Sequence, residues 1–258
     1  MSLLEDAGLG PEQPGERALA FPCRNAPVDV LLVRAADIPE YVQDGVVDCG
    51  ITGQDLVAER GAQVDELLEL GFGSCRLEAA VPEESAYQQL DDLAGATVAT
   101  VYPVLTRRLM PVGVDLVDVT GSVEIAPRLG LADGIVDLVS SGNTLRTNGL
   151  RSLGVLFSSQ AVLIGSKGAG TARLVSMIRS VVEARAHRYL MFNAPEARLG
   201  EVCAVIGSDS PSVLPLATSG MVAVHALIPA AEVWRLLPEL SELGASAILV
   251  VPVERMAR

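Results

Sequence analysis

Aromatic side chains are scarce in this chain: Phe, Tyr and Trp together supply 3% of its 258 residues. Half of the residues are apolar, and Ala, Val, Leu and Gly dominate. That composition suits aliphatic strands lying under small-residue helices, as in an α/β protein of two or three domains. Positive charge is also short. Against 32 Asp and Glu there are 19 Lys and Arg, a formal net charge of −13, so the basic footprint of a nucleic-acid binder is missing. A polyanionic ligand must then meet a few cations gathered locally, or arrive with a divalent metal. The densest basic spot is Arg107-Arg108, just past Pro103-Val104-Leu105. The four cysteines, Cys23, Cys49, Cys75 and Cys203, are widely spaced with no CxxC, which argues for reduced structural thiols and against metal ligation. The two histidines, His187 and His225, lack a neighbouring Ser or Cys, so a nucleophile–histidine mechanism is disfavoured. No apolar run reaches about 18 residues and no secretory pattern opens the chain, so a cytoplasmic location is expected.

What is present is a regular alternation of short apolar runs and helical segments. The opening residues to Gly8 read as the end of a helix stopped by glycine. Strands are expected at Val28–Val33, Val46–Ile51, Leu67–Phe72 and Cys75–Val81, with helices from about Asp37 to Gln43 and from Gln54 to Arg60. The polar stretch Pro82–Gln89 reads as a crossover. After it come a helix near Leu90–Leu93, strand Thr97–Thr100, a helix around Leu105–Met110, strand Asp115–Val119 and a helix from Gly121 to Gly130. Strand Ala161–Ile164 should return to the first domain, ahead of a long helix over about Thr171–Arg188. The remainder reads β-α-β-β-α-β, the split βαβ or ferredoxin-like order. Two α/β halves joined by a crossing and a return leave a cleft, the usual seat of a ligand.

The most informative stretch runs from Asp133 to Leu145. Its strand-like run carries two acids four apart, Asp133 and Asp137, and ends in Ser140-Ser141-Gly142-Asn143-Thr144. Backbone N–H groups and hydroxyls at such a turn make a nest for phosphate, and a following helix would add its positive end. Carboxylates just upstream are suited to the vicinal hydroxyls of a ribose. An ordinary buried strand entering a generic turn has the same look.

Five phrases carry a more specific resemblance. They are Val33-Arg34-Ala35-Ala36-Asp37-Ile38-Pro39, Asp44-Gly45-Val46-Val47-Asp48-Cys49-Gly50-Ile51-Thr52-Gly53-Gln54-Asp55, Ala99-Thr100-Val101-Tyr102-Pro103-Val104-Leu105-Thr106-Arg107, Gly121-Ser122-Val123-Glu124, and the loop stretch above. In this order they resemble the ATP phosphoribosyltransferase family. Ser210-Pro211-Ser212 and Gly244-Ala245-Ser246-Ala247 are similar to its long form, which carries a histidine-sensing regulatory domain.

The resemblance implies a two-lobed, periplasmic-binding-protein-like catalytic core followed by a ferredoxin-like βαββαβ domain. The expected boundaries are 1–81 with 161–188 for the first catalytic domain, 82–160 for the second, and 189–258 for the regulatory domain. It implies that ATP and phosphoribosyl diphosphate give N1-(5-phosphoribosyl)-ATP and diphosphate, with Mg²⁺ carried mainly by the substrate diphosphate. By the match, Asp133, Asp137 and Glu124 serve the ribose or its metal. Ser140, Ser141, Gly142, Asn143, Thr144 and Leu145 cradle the 5-phosphate. Arg34, Asp55, Tyr102, Thr106 and Arg107 line the ATP side. Histidine, the inhibitor, is expected at Asn193, Ser210, Ser212 and Ala247 of a homo-hexamer or dimer.

Two departures stand out. The family opens with a strand and a Lys-Gly-Arg-like turn, whereas this sequence starts inside the next helix, so its first domain is expected to lack that strand. Val104 also stands where the family has Asn after Tyr-Pro, replacing an amide with an apolar group. A non-enzymatic two-lobed binding protein and a catalytically impaired regulatory paralogue therefore remain as alternatives.

Overall fold

A computed structural model describes residues 2–10, 19–119, 121–140, 143–166, 170–207 and 211–257. The chain separates into two compact units, 1–31 with 176–258, and 32–175. The short helix α1 (Ser2–Asp6) ends at Gly8, whose φ of +80° suits glycine. Strands β1 (Ala20–Pro22) and β2 (Asp29–Leu31) follow as an antiparallel pair.

The unit 32–175 holds two sheets. Its first part contains α2 (Ile38–Gln43), β3 (Cys49–Gly53), α3 (Gln54–Arg60) and β4 (Asp65–Glu69). The chain then crosses into β5 (Cys75–Pro82), β6 (Thr97–Thr100), α4 (Pro103–Leu109), β7 (Asp115–Asp118), β8 (Gly134–Val139), α5 (Asn143–Thr147) and β9 (Leu150–Ser159). After the single residue Gln160 it returns as β10 (Ala161–Gly165). Strands β3, β10 and β4 form an antiparallel sheet with β10 central, and the second sheet has the order β7-β6-β8-β5-β9. Within the latter, β7, β6 and β8 are parallel, whereas β5 runs antiparallel to β8 and β9.

The crossing therefore lies in residues 70–74, ahead of β5, and the polar segment 82–89 belongs to the second lobe. Strand β5 is buried along most of its length because β8 and β9 flank it, so residues 75–81, expected in the first domain, belong to the second sheet. The two crossings are bonded to each other: Ala161 N–H donates to Phe72 C=O at 2.9 Å, and Leu70 N–H to Ala161 C=O at 3.0 Å. The helix expected from Gly121 to Gly130 is only one 3₁₀ turn, Val123–Ile125, followed by further turns. It starts from Ser122 in the left-handed region (φ +49°), and Pro127 lacks the N–H needed to extend it.

Helix α6 (Ala172–Arg185) leads into β11 (His187–Pro195), α7 (Leu199–Ile206), β12 (Ser212–Pro215), β13 (Met221–Pro229), α8 (Val233–Glu242) and β14 (Ser246–Pro252). The all-antiparallel order β12-β13-β11-β14 is ferredoxin-like. One face of this sheet, through Leu190, Phe192, Val222 and Val224, packs on Val202 and Ile206 of α7 and on Leu236 and Leu240 of α8. The opening residues belong to the same unit: Asp6 pairs with Arg185 at 2.6 Å, and its carbonyl accepts from Arg255 Nε at 3.1 Å. The segment expected to open the first catalytic domain thus clusters with the C-terminal unit. All four cysteines are free, and burial pushes the thiols of Cys23, Cys49 and Cys75 above the usual range. Among the described residues no helix is long and apolar enough to cross a membrane.

In the smaller sheet, β3 meets α2 at a glycine. A Cβ on Gly50 would sit 2.3 Å from Ile38 Cγ2 and 3.2 Å from Val42 Cγ2. The β-branched Ile38 cannot swing aside cheaply. Gly50→Ala is expected to lower the unfolding free energy by about 1–3 kcal/mol in urea titrations. An unchanged midpoint would mean that α2 does not bear on β3 there.

Candidate active site

The parallel strands β6, β7 and β8 end side by side, and the chain leaves them at Val101, Val119 and Ser140. In open α/β sheets ligands collect outside these carboxyl ends. Asp137 lies near the end of β8 on the face it shares with Ile135 and Val139, which pack on Val123 and Ala126. That contact brings Glu124 into the neighbourhood. Burial raises the Asp137 pKa, the Leu138 N–H lowers it, and the negative field of Glu124 raises it further.

A second cluster ties α3 to the larger sheet. Asp55, in the first turn of α3, is 4% exposed. Its Oδ2 accepts from the Tyr102 hydroxyl at 2.8 Å and its Oδ1 from the Ser159 hydroxyl at 2.6 Å, while the Ser159 Oγ accepts the Asp55 N–H at 3.0 Å. The Tyr102 phenol is pushed well above its ordinary range, first by burial and then by its bond to Asp55 and that group's charge. Gly53 makes room for this carboxylate, since a Cβ there would lie 2.3 Å from Asp55 Oδ1. One turn further along α3, the Glu59 carboxylate accepts the Val104 and Leu105 N–H groups at 2.9 and 2.8 Å, closing the start of α4. Sequence reasoning missed both Ser159 and Glu59, because nothing local marks a bond over 104 or 45 positions.

The expected residues fall into three groups. Asp137, Glu124, Tyr102 and Asp55 gather at the carboxyl end of the sheet, the charge of Asp137 acting on Tyr102. Exposed Ser140 and Thr144 flank the loop after β8, and exposed Arg34 and Arg107 supply cations. Arg34 precedes Ala35, whose carbonyl accepts the Thr52 hydroxyl at 2.8 Å, so it stands beside the end of β3. Other residues are brought to different places. Asp133 sits at the opposite end of β8, where its carboxylate accepts the Thr97 N–H at 2.8 Å. Six residues of strand, about 20 Å, separate it from Ser140. Asp133 therefore does not share a site with the loop. Thr106 is fully buried and donates to the Tyr102 carbonyl at 2.7 Å, and Leu145 is buried among Val139, Ala126 and Leu150. Their side chains hold the scaffold and leave no surface for a ligand. Ser141, Gly142, Ser210 and the Asn143 side chain lie outside the described residues.

Between the two sheets lies a cleft of about 420 Å³, whose lining includes Gln54, Ser74, Arg76, Ser140, Ser158 and Gln160. In the ferredoxin-like domain, Asn193 is in register with Ser246, directly before Ala247, whose φ is +50°. Ser212 lies on β12 at the other edge of that sheet, opposite His225. Within one chain Ser212 thus stands three strands from Ala247.

This arrangement defines a two-lobed α/β protein built around a polar cleft, with an acidic cluster and small hydroxyls at the carboxyl ends of parallel strands. The model for ATP phosphoribosyltransferase matches residues 34–184, and that for the HisG C-terminal domain matches residues 184–255. The ATP phosphoribosyltransferase of Methanocella arvoryzae is 41% identical over 269 residues, spanning 100% of this chain and 94% of the relative. That of Gemmatimonas aurantiaca is 43% identical over 273 residues, spanning 98% and 93%. A chain of the ATP phosphoribosyl transferase (HisG:HisZ) complex from Thermotoga maritima superposes with a TM-score of 0.62 at 24% identity, covering 71% of this chain and 92% of that one, a likeness of fold. The chain belongs to the ATP phosphoribosyltransferase family, in the form with its own C-terminal domain.

The raised Asp137 pKa has a stability consequence. A carboxyl whose folded pKa lies above its unfolded value of 3.8 binds its proton more tightly when folded. Its ionisation therefore costs stability as pH rises from the unfolded pKa through the folded one. Asp137→Asn removes that cost and keeps an acceptor for the Leu138 N–H. Melting scans should show the variant at least as stable as the parent at pH 7, with the advantage gone at pH 3. A variant less stable at neutral pH would mean that the ionised carboxylate is favourably held.

Proposed function

We propose that this chain transfers the phosphoribosyl group of phosphoribosyl diphosphate to N1 of ATP, releasing diphosphate, the first step of histidine biosynthesis. The observation that carries this reading is the family match together with the acid-to-hydroxyl sequence along β8, Asp137 to Ser140 and Thr144. The adenine N1 attacks the anomeric carbon as the bond to diphosphate breaks, so positive charge develops on the ribose and negative charge on the leaving group. No covalent nucleophile is needed, and catalysis rests on alignment and electrostatics. Asp137, with Glu124 beside it, holds the ribose hydroxyls and faces the developing positive charge. Ser140 and Thr144 serve the 5-phosphate, while the exposed cations Arg34 and Arg107 meet the phosphates of ATP. Asp55 and Tyr102 satisfy each other, so their part is to fix the cleft wall.

Mg²⁺ belongs to this chemistry, and the residues accommodate it in one way. Among the described residues no group of three or more His, Cys, Asp or Glu is placed to hold a metal. An Mg²⁺ ion that keeps its waters and substrate phosphates needs only one or two carboxylates, and Asp137 and Glu124 would supply them. When bound, the ion would neutralise the departing diphosphate.

Histidine inhibition is the second part of the proposal. The sheet face opposite α7 and α8 exposes Tyr189, Leu227, Leu249 and Val251, an apolar surface suited to assembly into a homo-hexamer or dimer. With Ser212 and Ala247 on opposite edges, a histidine site using both needs two chains.

Asp137→Asn and Thr144→Val are each expected to lower turnover of ATP with phosphoribosyl diphosphate by about a hundredfold or more, read by absorbance of the product. Near-normal rates in both would remove the β8 loop from the reaction. For regulation, Ala247→Pro in the full chain should abolish histidine inhibition with uninhibited turnover kept, because proline cannot adopt the positive φ. Inhibition of undiminished strength would take residue 247 out of the histidine site.

A further inference from the structure

Among the described residues lining the cleft between the two sheets, one is a cation, and no motif in the sequence marked it. Arg76 lies on β5, in register with Val139, the residue before Ser140; two positions along, Glu78 is in register with Asp137. Residues paired in this way share a face, with Cβ atoms about 5 Å apart. Strands β5 and β8 thus present a ladder in which Glu78 stands beside the sugar acid Asp137 and Arg76 stands beside the phosphate end of β8.

Arg76 is held rather than loose. Its Nε lies 2.9 Å from Glu78 Oε1, whose side chain is 6% exposed, while half of the Arg76 side chain (53%) remains open. The N–H is not directed along that contact, so Glu78 Oε1 is left without a hydrogen bond. Among the described residues nothing accepts from either Nη of Arg76. Among the described residues the cleft lining includes Ser74, Ser140, Ser158, Gln54 and Gln160, and no acid is part of that lining. A guanidinium with a free fork, ringed by hydroxyls and amides, is a donor set matched to a tetrahedral oxyanion. In a chain of net charge −13 such a cation is scarce.

We propose that Arg76 binds the 5-phosphate of the sugar-phosphate substrate together with Ser140, and that Glu78 is the positioning residue that keeps the guanidinium in the cleft. The proposal rests on the phosphoribosyl-transfer reading and adds to it the cation for the sugar phosphate. The half-buried ion pair then has a use beyond stability, for such pairs are weak stabilisers.

Initial-rate kinetics on the full chain test the assignment. Arg76→Met should raise KM for phosphoribosyl diphosphate by about ten- to a hundredfold while KM for ATP moves less than about twofold. Glu78→Gln should shift the same KM in the same direction by a smaller factor. Because Arg76→Met strands a buried carboxylate and risks misfolding, the double variant Arg76→Met/Glu78→Leu removes both charges and should show the same split. Arg76→Lys, which keeps the charge but loses the fork, should fall between wild type and Arg76→Met. Unchanged KM for phosphoribosyl diphosphate, or equal rises for both substrates, would overturn the proposal. Calorimetric titration with phosphoribosyl diphosphate alone separates this idea from the reading beneath it. Binding by the parent chain that the double variant loses supports the Arg76 site even if no turnover with ATP is found, an outcome that would defeat only the reaction. No binding by the parent, or equal binding by the double variant, sinks the site itself.

Discussion

A buried carboxylate governs this molecule. Asp55 is nearly sealed from water, and removing a charge from solvent is costly unless hydrogen bonds replace the lost hydration. Here they come from Tyr102 after β6 and Ser159 at the end of β9, so the charge is satisfied only when α3 lies against the larger sheet. The Thr-Gly-Gln-Asp turn is therefore under three constraints at once. Gly53 must stay small, Asp55 must stay acidic, and Thr52 anchors the loop carrying Arg34. Glu59 repeats the device one turn on by closing the first turn of α4.

Charge economy explains much of the rest. An acidic chain that handles two polyanionic substrates cannot rely on its average field, which repels them. The cations proposed to meet them are few: Arg34 beside β3, Arg107 on α4 and Arg76 within the cleft. Of the acids near the site, Asp55 is held by Tyr102 and Ser159, and Glu59 by the Val104 and Leu105 N–H groups.

The parts that sequence revealed are those set by local periodicity. The β-α-β-β-α-β order of the last domain and the β8 strand follow from patterns spanning a few residues, and both are present as expected. What failed needed register or sheet membership. Asp133 and Asp137 looked like a pair because they are four apart, yet a strand carries them to different ends, and Asp133 became a clamp on Thr97. Thr106 and Leu145 lie inside motif segments, but the core claimed their side chains. The polarity of 82–89 suggested a crossing, whereas the true one at 70–74 is short and bonded to the return strand. Arg76 and Glu78 acquired meaning only once β5 was aligned with β8.

The grouping of residues 1–31 with 176–258 bears on how the protein is made. On the ribosome, residues 1–31 emerge before the other part of their unit, 176–258, has been synthesised. At translation rates of about 5–20 residues per second, on the order of ten seconds pass before α6 and the ferredoxin-like strands appear. The internal unit can mature in that interval, while Leu3, Ala7 and Leu9, buried in the finished protein, must wait uncovered. Residues 1–31 thus complete their unit only after the stretch from 176 onward has emerged.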